Sequence, residues 1–225
     1  MMATLRHLQQ TVQSIKEQFV GSEAERKKFL SAFYNHYIFK KIHLPSLIKF
    51  PAAKFRYQNI VLETRPETID FWATLESYEP DLTHFLTTVT GEAKGTFVDV
   101  GAHIGRFSTL MAKQNWQVIS FEPLKTNFLA LEKNLQNNGL TGNAQIFNVG
   151  LGDQPSEKTI YFNKMELGEA TVNPREGDSK DSIKILRFDD IAQDFSFRDL
   201  CIVKVDVEGF EEQVLSGMEE FVKRE

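Results

Sequence analysis

The stretch that decides the fold is Thr96-Phe97-Val98-Asp99-Val100-Gly101-Ala102-His103-Ile104-Gly105. Its first half is β-branched and aromatic, as in a buried strand, and two glycines then mark a tight turn. Downstream, apolar residues recur at the spacing of one helix face: Ile104, Phe107, Leu110 and Met111. The pattern therefore predicts a strand, a loop and a helix. Gly101 and Gly105 lack a Cβ, which permits unusual torsions and a close approach of a ligand to the main chain.

A second buried-type strand, residues 118–121, ends at Glu122, which follows Gly101 by 21 residues. An acid at the end of this strand is placed to accept hydrogen bonds from ribose hydroxyls. The glycine pattern is G-x-x-x-G and not the G-x-G-x-x-G that brings a helix terminus to a pyrophosphate. These features favour a nucleoside without phosphates, and they leave a nicotinamide oxidoreductase as a distant alternative.

Three blocks of the sequence resemble the FkbM-type family of S-adenosylmethionine-dependent methyltransferases. They occur in the family's order and spacing: Val98-Asp99-Val100-Gly101-Ala102-His103-Ile104-Gly105, Phe121-Glu122-Pro123 and Lys204-Val205-Asp206-Val207-Glu208-Gly209-Phe210-Glu211. The resemblance covers residues 55–225. It implies an α/β, Rossmann-like class I methyltransferase fold with a mainly parallel sheet. It also implies S-adenosylmethionine as cofactor and methyl transfer to a hydroxyl of a sugar, glycan, polyketide or similar metabolite.

Cofactor contacts are expected in the loops after the first three strands. Asp99 is expected to accept from the methionine ammonium, and Glu122 to hold the ribose. The other expected contacts are Glu79, Gly101, Ala102, His103, Gly105, Asn148 and Gly150. His103 stands where the family more often has asparagine, and we expect its backbone to matter more than its imidazole. Glu79 resembles an acidic position upstream of the family's glycine loop, although an exposed helix-end glutamate explains it equally well.

Acceptor chemistry is expected at Asp206 and Glu208, directly after the fourth strand. Ligands bind at the carboxyl ends of strands in open α/β sheets, so we expect these carboxylates, with Asp189, to orient and deprotonate a hydroxyl. The same oxygens suit Mg²⁺, which is an alternative role. A further alternative is that Glu208 and Glu211 only favour the positive end of the next helix. Lys204 is expected to pair with one of these acids.

The first 54 residues are expected to form a basic, amphipathic helical region. Residues 4–19 have helical spacing with a stop at Gly21, and Ser22 with Glu25 predicts a capping box that opens a second helix. That helix carries an aromatic stripe of Phe29, Phe33 and Tyr37. We expect the stripe to pack on the catalytic domain or on a second copy in a homo-oligomer. A helix lying in a membrane interface is the alternative.

Charge is distributed unevenly along the chain. Residues 1–60 hold ten Lys or Arg against three Glu, and residues 61–225 hold 16 against 28, although the net charge is only −5. We expect the basic front to dock on the acidic body or to be solvated, without a nucleic-acid partner; contact with anionic lipid is the alternative. No apolar run approaches the roughly 20 residues of a spanning helix, and a signal-peptide core is missing. With Cys201 as the one cysteine, these features suggest a cytoplasmic protein.

The chain divides into residues 1–54, a connecting segment 55–95 and the nucleotide-binding domain 96–225. In the connecting segment, residues 55–63 alternate like a strand and residues 69–86 look mostly helical. The domain's further strands are expected at residues 145–149, 158–163, 182–188 and 201–206. The segment 164–181 is long enough to form a substrate lid, and residues 150–153 are expected as a loop beside the adenine.

The family's sheet normally continues beyond the helix that ends this chain. We therefore expect a domain truncated after its fourth core strand. That predicts an open edge beside residues 201–206, a strand donated by another chain, or residues 182–188 placed at that edge. The alternative function is a non-catalytic module that binds a nucleoside or a partner protein on a degenerate methyltransferase fold. Four retained acids oppose that alternative: Asp99, Glu122, Asp206 and Glu208.

Overall fold

A computed structural model describes residues 2–41, 49–90, 93–163, 179–198 and 200–224. The N-terminal part consists of two helices and a small antiparallel sheet in the order β1-β2-β3. These elements are α1 (Met2–Gln18), β1 (Phe19–Val20), α2 (Glu23–Lys41), β2 (Ala53–Tyr57) and β3 (Ile60–Thr64). The expected capping box is confirmed, because the Ser22 amide donates to Glu25 at 2.7 Å and the Glu25 amide donates to the Ser22 hydroxyl at 3.3 Å.

The alternating run 55–63 is two strands instead of one. Gln58 and Asn59 form a turn between β2 and β3, and Gln58 adopts a positive φ of 47°. The alternation misled because a two-residue turn preserves a period of two along the sequence. The helix expected over 69–86 is likewise divided, into a 3₁₀ turn at Asp70–Thr74 and α3 (Pro80–Val89). Proline at the first position of α3 favours a helix start there.

The aromatic stripe of α2 packs on protein. Phe29 and Phe33 are only 1% and 2% exposed, and Tyr37 is half-buried. The Phe29 ring lies against Phe55 at 5.3 Å and against Phe71 at 5.4 Å between ring centroids. The two helices are therefore joined to the hairpin and to the 3₁₀ turn by one apolar cluster.

The remaining strands form a parallel sheet and a smaller mixed sheet. They are β4 (Thr96–Val100), β5 (Gln117–Phe121), β6 (Ala144–Phe147), β7 (Gly150–Leu151), β8 (Ser156–Phe162), β9 (Ser179–Leu186) and β10 (Cys201–Val205). The parallel sheet has the order β10-β4-β5-β6, and the mixed sheet has the order β7-β9-β8. The helices of this part are α4 (Arg106–Lys113), α5 (Lys125–Asn137), α6 (Phe188–Ile191), α7 (Glu211–Ser216) and α8 (Glu219–Arg224).

Both faces of the parallel sheet are covered by apolar side chains. Phe97 packs in one cluster with Met111 of α4 and Leu131 of α5. On the opposite face, Val98 packs in another cluster with Val214 of α7. Successive strand residues point to opposite faces, and the near-continuous apolar runs of β4 and β5 follow from burial on both sides.

The edge of the parallel sheet beside β10 is open in the described part of the chain, which is one of the three expected outcomes. Within the described ranges, β10 pairs in parallel with β4 and has no second strand neighbour. Residues 182–188 do not lie at that edge, because β9 pairs with β7 and β8.

Of the expected lid, residues 164–178 lie outside the described residues, and Ser179–Asp181 belong to β9. The loop expected at 150–153 begins instead as β7.

Asn134 of α5 and Asn138, the residue directly after that helix, pair with the outer edge of β3 as a neighbouring strand would. Asn138 accepts from the Val61 amide at 2.9 Å and donates to the Val61 carbonyl at 2.8 Å. One helical turn earlier, Asn134 accepts from the Glu63 amide at 2.7 Å and donates to the Ile104 carbonyl at 2.9 Å. This pairing fixes the N-terminal hairpin beside the glycine loop. No helix of the described part is long and apolar enough to cross a membrane.

Candidate active site

The loop between β4 and α4 is held in an unusual backbone conformation. Gly101 and Gly105 both have φ of 82°, and His103 has φ of 52°. A Cβ on Gly101 would lie 1.9 Å from the Asp206 carbonyl oxygen, and one on Gly105 would lie 2.4 Å from Leu131 Cδ1. Both glycines thus adopt the unusual torsions that the sequence suggested and pack closely against protein, while the expected approach of a ligand stays a prediction. Ala102, also buried, donates its amide to the Phe121 carbonyl at 3.2 Å.

Glu122 follows β5 and turns its carboxylate toward this loop. One oxygen accepts from the His103 amide at 2.8 Å, and the other accepts from the Leu124 amide at 3.0 Å and from Asn127 Nδ2 at 3.3 Å. Glu122 is 4% exposed. Burial raises its pKa to about 7, although these hydrogen bonds favour the ionised form. Glu122 and the backbone of His103, both expected cofactor contacts, thus lie side by side.

Asn148 and Gly150 end up in different surroundings. The Asn148 Nδ2 donates to the carbonyls of Glu122 and Pro123, both at 2.9 Å, so its side chain ties β6 to the turn after β5. Gly150 lies in β7, where an added Cβ would be 2.7 Å from Ile185 Cδ1. Asn148 therefore belongs to the site around Glu122, and Gly150 is packed beneath β9.

Asp99 lies in a buried polar row across three neighbouring strands. The β-sheet register places it between Lys204 and Ser120. Its Oδ2 accepts from Ser108 Oγ at 2.6 Å, and its Oδ1 lies 3.5 Å from Lys204 Nζ. The Asp99 carboxylate is 1% exposed, and its Oδ1 accepts no hydrogen bond within the described residues, so the expected contact with a methionine ammonium stays a prediction.

Lys204 also pairs with Asp206, whose Oδ2 lies 3.3 Å from Nζ, which confirms the expected pairing. Burial opposes the charge of Lys204, but Asp99 and Asp206 outweigh it and raise the lysine pKa. The Asp206 side chain is 46% exposed at the carboxyl end of β10, and Glu208 is exposed with φ of 49°. These two acids are therefore accessible beside the glycine loop.

Two other acids have structural roles. Asp189 accepts from the backbone amides of Glu220 and Phe221 at 3.1 and 2.9 Å and pairs with Arg187 at 2.6 Å. It holds the start of α8, so the expected role in acceptor chemistry is wrong. Glu211 lies in the first turn of α7 and accepts from the amides of Val207 and Gly209 just before it, which fits the alternative that this residue favours the positive end of the helix.

Glu79 lies at the start of α3 with φ of 41° and is half-buried. Burial, followed by the charges of Glu79 and Asp206, raises the pKa of Tyr78, so these side chains share one neighbourhood. The buried Arg106 positions the segment: its Nη1 donates to the Ala73 and Leu75 carbonyls at 3.0 and 2.9 Å. Within the described residues, no group of three or more His, Cys, Asp or Glu side chains is arranged to hold a metal ion.

Comparison with known proteins identifies the family of this chain. Residues 99–225, more than half of the chain, match the model described as the methyltransferase FkbM domain. The chain belongs to the FkbM methyltransferase family. Nothing among curated proteins matches it. Among solved structures, it is similar to the methyltransferase FkbM from Methylobacillus flagellatus KT, with 16% identity and a TM-score of 0.43. That match covers 99% of this chain and 47% of the other, so the chain spans about half the length of that protein.

The sequence interpretation missed polar residues that lie outside the matched FkbM domain. The sequence placed Asp70 in a helical segment and gave no role to Arg65, yet both reach the loop after β4. Arg65 Nη2 lies 3.3 Å from His103 Nε2, and Asp70 Oδ1 lies 3.6 Å from the same nitrogen. Burial lowers the pKa of His103 to about 4, although Asp70 favours the charged form. Arg65 and Glu67 on either side of Pro66 were the one visible signal, but His103, the partner of Arg65, lies 38 positions away in the FkbM domain.

Proposed function

We propose that the chain binds S-adenosylmethionine across the carboxyl ends of β4, β5 and β6. The observation that carries this proposal is the Glu122 carboxylate beside the glycine loop. A carboxylate has about four lone-pair sites, and the described partners His103, Leu124 and Asn127 use three. The remaining site suits a ribose hydroxyl. The Glu122 carboxylate therefore fits the nucleoside part of the cofactor as a hydrogen-bond acceptor, and Asn148 holds the neighbouring turn.

The proposed reaction is O-methylation of a hydroxyl on a sugar, glycan or other metabolite. S-adenosylmethionine, when bound, supplies a methyl group on a sulfonium, and the protein's task is alignment of the acceptor. Asp206 and Glu208 are the proposed catalytic residues, because both are accessible at the carboxyl end of β10. Lys204 Nζ lies 3.3 Å from Asp206 Oδ2 and holds that carboxylate in place, where it can accept a hydrogen bond from the acceptor hydroxyl and take its proton as the methyl group is transferred.

Calorimetric titration with S-adenosylmethionine, S-adenosylhomocysteine and NAD tests the cofactor. We expect the first two to bind and NAD not to bind. Glu122→Ala should weaken binding by about 1.5–3 kcal/mol, the range for hydrogen bonds to charged groups. Glu157→Ala on β8, an exposed acid, is the matched control. Equal affinity of wild type and Glu122→Ala would contradict the assignment.

Binding without transfer is the second candidate function. The observation that favours it is the side of β10 opposite β4, which has no strand neighbour within the described ranges. Incubation with methyl-labelled S-adenosylmethionine and panels of hydroxyl acceptors distinguishes the two candidates. Transfer that falls in Asp206→Asn while S-adenosylhomocysteine still binds supports the enzyme. Cofactor binding with no labelled product from any acceptor supports the binding module.

A further inference from the structure

A buried ion pair from the N-terminal part reaches the glycine loop. Arg65 directs Nε and Nη2 at the two oxygens of Asp70, at 2.7 and 2.8 Å, and its backbone amide donates to Asp70 Oδ2 at 3.0 Å. The Asp70 side chain is 2% exposed and the Arg65 side chain 17%. A two-point pair of this kind fixes the plane of the guanidinium as well as its position.

The rest of the guanidinium faces the residues that hold Glu122. Arg65 Nη1 donates to Asn127 Oδ1 at 2.6 Å, and Nη2 lies 3.3 Å from His103 Nε2. Asn127 Nδ2 in turn donates to one oxygen of Glu122, and the His103 amide donates to the other. Each oxygen of the Glu122 carboxylate is therefore one residue away from Arg65.

We propose that Arg65 and Asp70 are positioning residues for the cofactor site, holding His103 and Asn127 so that these orient the Glu122 carboxylate toward the bound nucleoside. The inference rests on the proposed function. His103 has a positive φ, which is uncommon outside glycine and is kept only where the surroundings impose it. The contacts of its imidazole with Arg65 and Asp70 supply that restraint.

Docking of the hairpin does not depend on this pair. Asn134 and Asn138 already bond to β3 through the Glu63 and Val61 backbones, at positions before Arg65. The Arg65–Asp70 pair lies beyond the end of β3, where the loop begins to contact it. Loss of the pair should therefore affect the loop more than the attachment of the hairpin.

The test compares two variants of the full chain. Arg65→Gln with Asp70→Asn removes both charges together, which avoids leaving one charge buried alone. Asn138→Ala is the control, because it weakens hairpin docking away from the loop. Calorimetry with S-adenosylhomocysteine and hydrogen exchange of residues 97–107 are measured for both. We expect the double variant to bind about tenfold or more weakly and to exchange faster at residues 101–105, and the control to keep wild-type affinity.

Each outcome bears on the inference. Equal affinity and equal loop exchange in the double variant and the control would overturn it. If the double variant does not fold, Arg65→Lys replaces it. This variant keeps the charge but loses the planar fork, so weakened binding supports the inference and unchanged binding overturns it. Failure of the wild-type chain to bind S-adenosylhomocysteine would overturn the proposed function and, with it, this inference; wild-type binding that the Arg65 variants share overturns the inference alone.

Discussion

At the scale of single residues, the Glu122 carboxyl group makes folding stability depend on pH. Its pKa is raised from the ordinary value of 4.5 to about 7 by burial. Between these two values the unfolded chain loses the proton while the folded chain keeps it, so folded-state stability falls as pH rises from about 4.5 to about 7. Ionisation of the Glu122 carboxyl group therefore destabilises the folded chain across this pH range.

Glu122→Gln removes this titration. We expect the variant to gain stability relative to wild type as pH rises from 4.5 to 7, by about 2–4 kcal/mol across the window. Urea unfolding at a series of pH values measures it, and Glu157→Gln on β8 is the exposed control. A stability difference between Glu122→Gln and wild type that stays constant from pH 4.5 to 8 would show that Glu122 titrates normally.

His103 has the opposite pH dependence. Its pKa is lowered from 6.5 to about 4, so between these values the unfolded chain binds a proton that the folded chain does not, and stability is lost as pH falls. His103→Asn removes this loss and tolerates the positive φ. When the pH falls from 7.5 to 4.5, the free energy of unfolding of His103→Asn should rise relative to that of wild type by about 1–3 kcal/mol. Equal acid sensitivity of the two proteins, measured by thermal unfolding, would contradict the lowered pKa of His103.

At the scale of elements, α5 does two jobs. Its apolar face packs on the parallel sheet through Leu131 and Leu135. Asn134, and Asn138 directly after the helix, accept hydrogen bonds from backbone amides at the edge of β3. Unpaired backbone groups at a buried edge are costly, so side-chain amides in place of a strand neighbour stabilise the hairpin. These hydrogen bonds hold the N-terminal hairpin beside the glycine loop.

Asn134→Ala tests this contact. The side chain is fully buried, and its removal leaves backbone groups of Glu63 and Ile104 without their partner. We expect a loss of about 1–3 kcal/mol in the free energy of unfolding. Gln136→Ala, exposed on the same helix, should change stability by less than about 0.5 kcal/mol. Similar losses for both variants would mean that helix propensity, and not the edge contact, is being measured.

At the scale of the whole molecule, two of the salt bridges join the basic front, residues 1–60, to the acidic body. Lys49 pairs with Glu67 at 2.8 Å, and Lys54 lies 3.6 Å from Glu63. Exposed pairs of this kind contribute little energy, whereas the aromatic cluster around Phe29 buries large rings. The cluster thus accounts for the attachment better than charge does. A homo-oligomer through the N-terminal helices, a cytoplasmic location and peripheral membrane contact stay proposals.

Phe29→Ala and Tyr34→Ala distinguish protein packing from lipid contact. Phe29 is 1% exposed and Tyr34 is 44% exposed on the same helix. We expect Phe29→Ala to cost about 3–5 kcal/mol of stability and Tyr34→Ala to cost little. Wild-type protein should not co-sediment with anionic liposomes through this helix. Co-sedimentation that depends on Phe29, Phe33 and Tyr37 would overturn the packing assignment.

The amino-acid sequence by itself determined the strand, loop and helix at 96–113, the acid at the end of β5, the capping box of α2 and the parallel strand at 201–205. These features depend on local periodicity, on backbone torsions and on contacts between near neighbours, which residue order specifies directly. Only the tertiary structure decided that Asp189 bonds to the first amides of α8, that Lys204 pairs with Asp99, and that Arg65 and Asp70 contact His103. The partners in these contacts lie up to 105 positions apart in the chain. Periodicity carries no information about which distant polar groups meet, because packing of the sheet and helices brings them together.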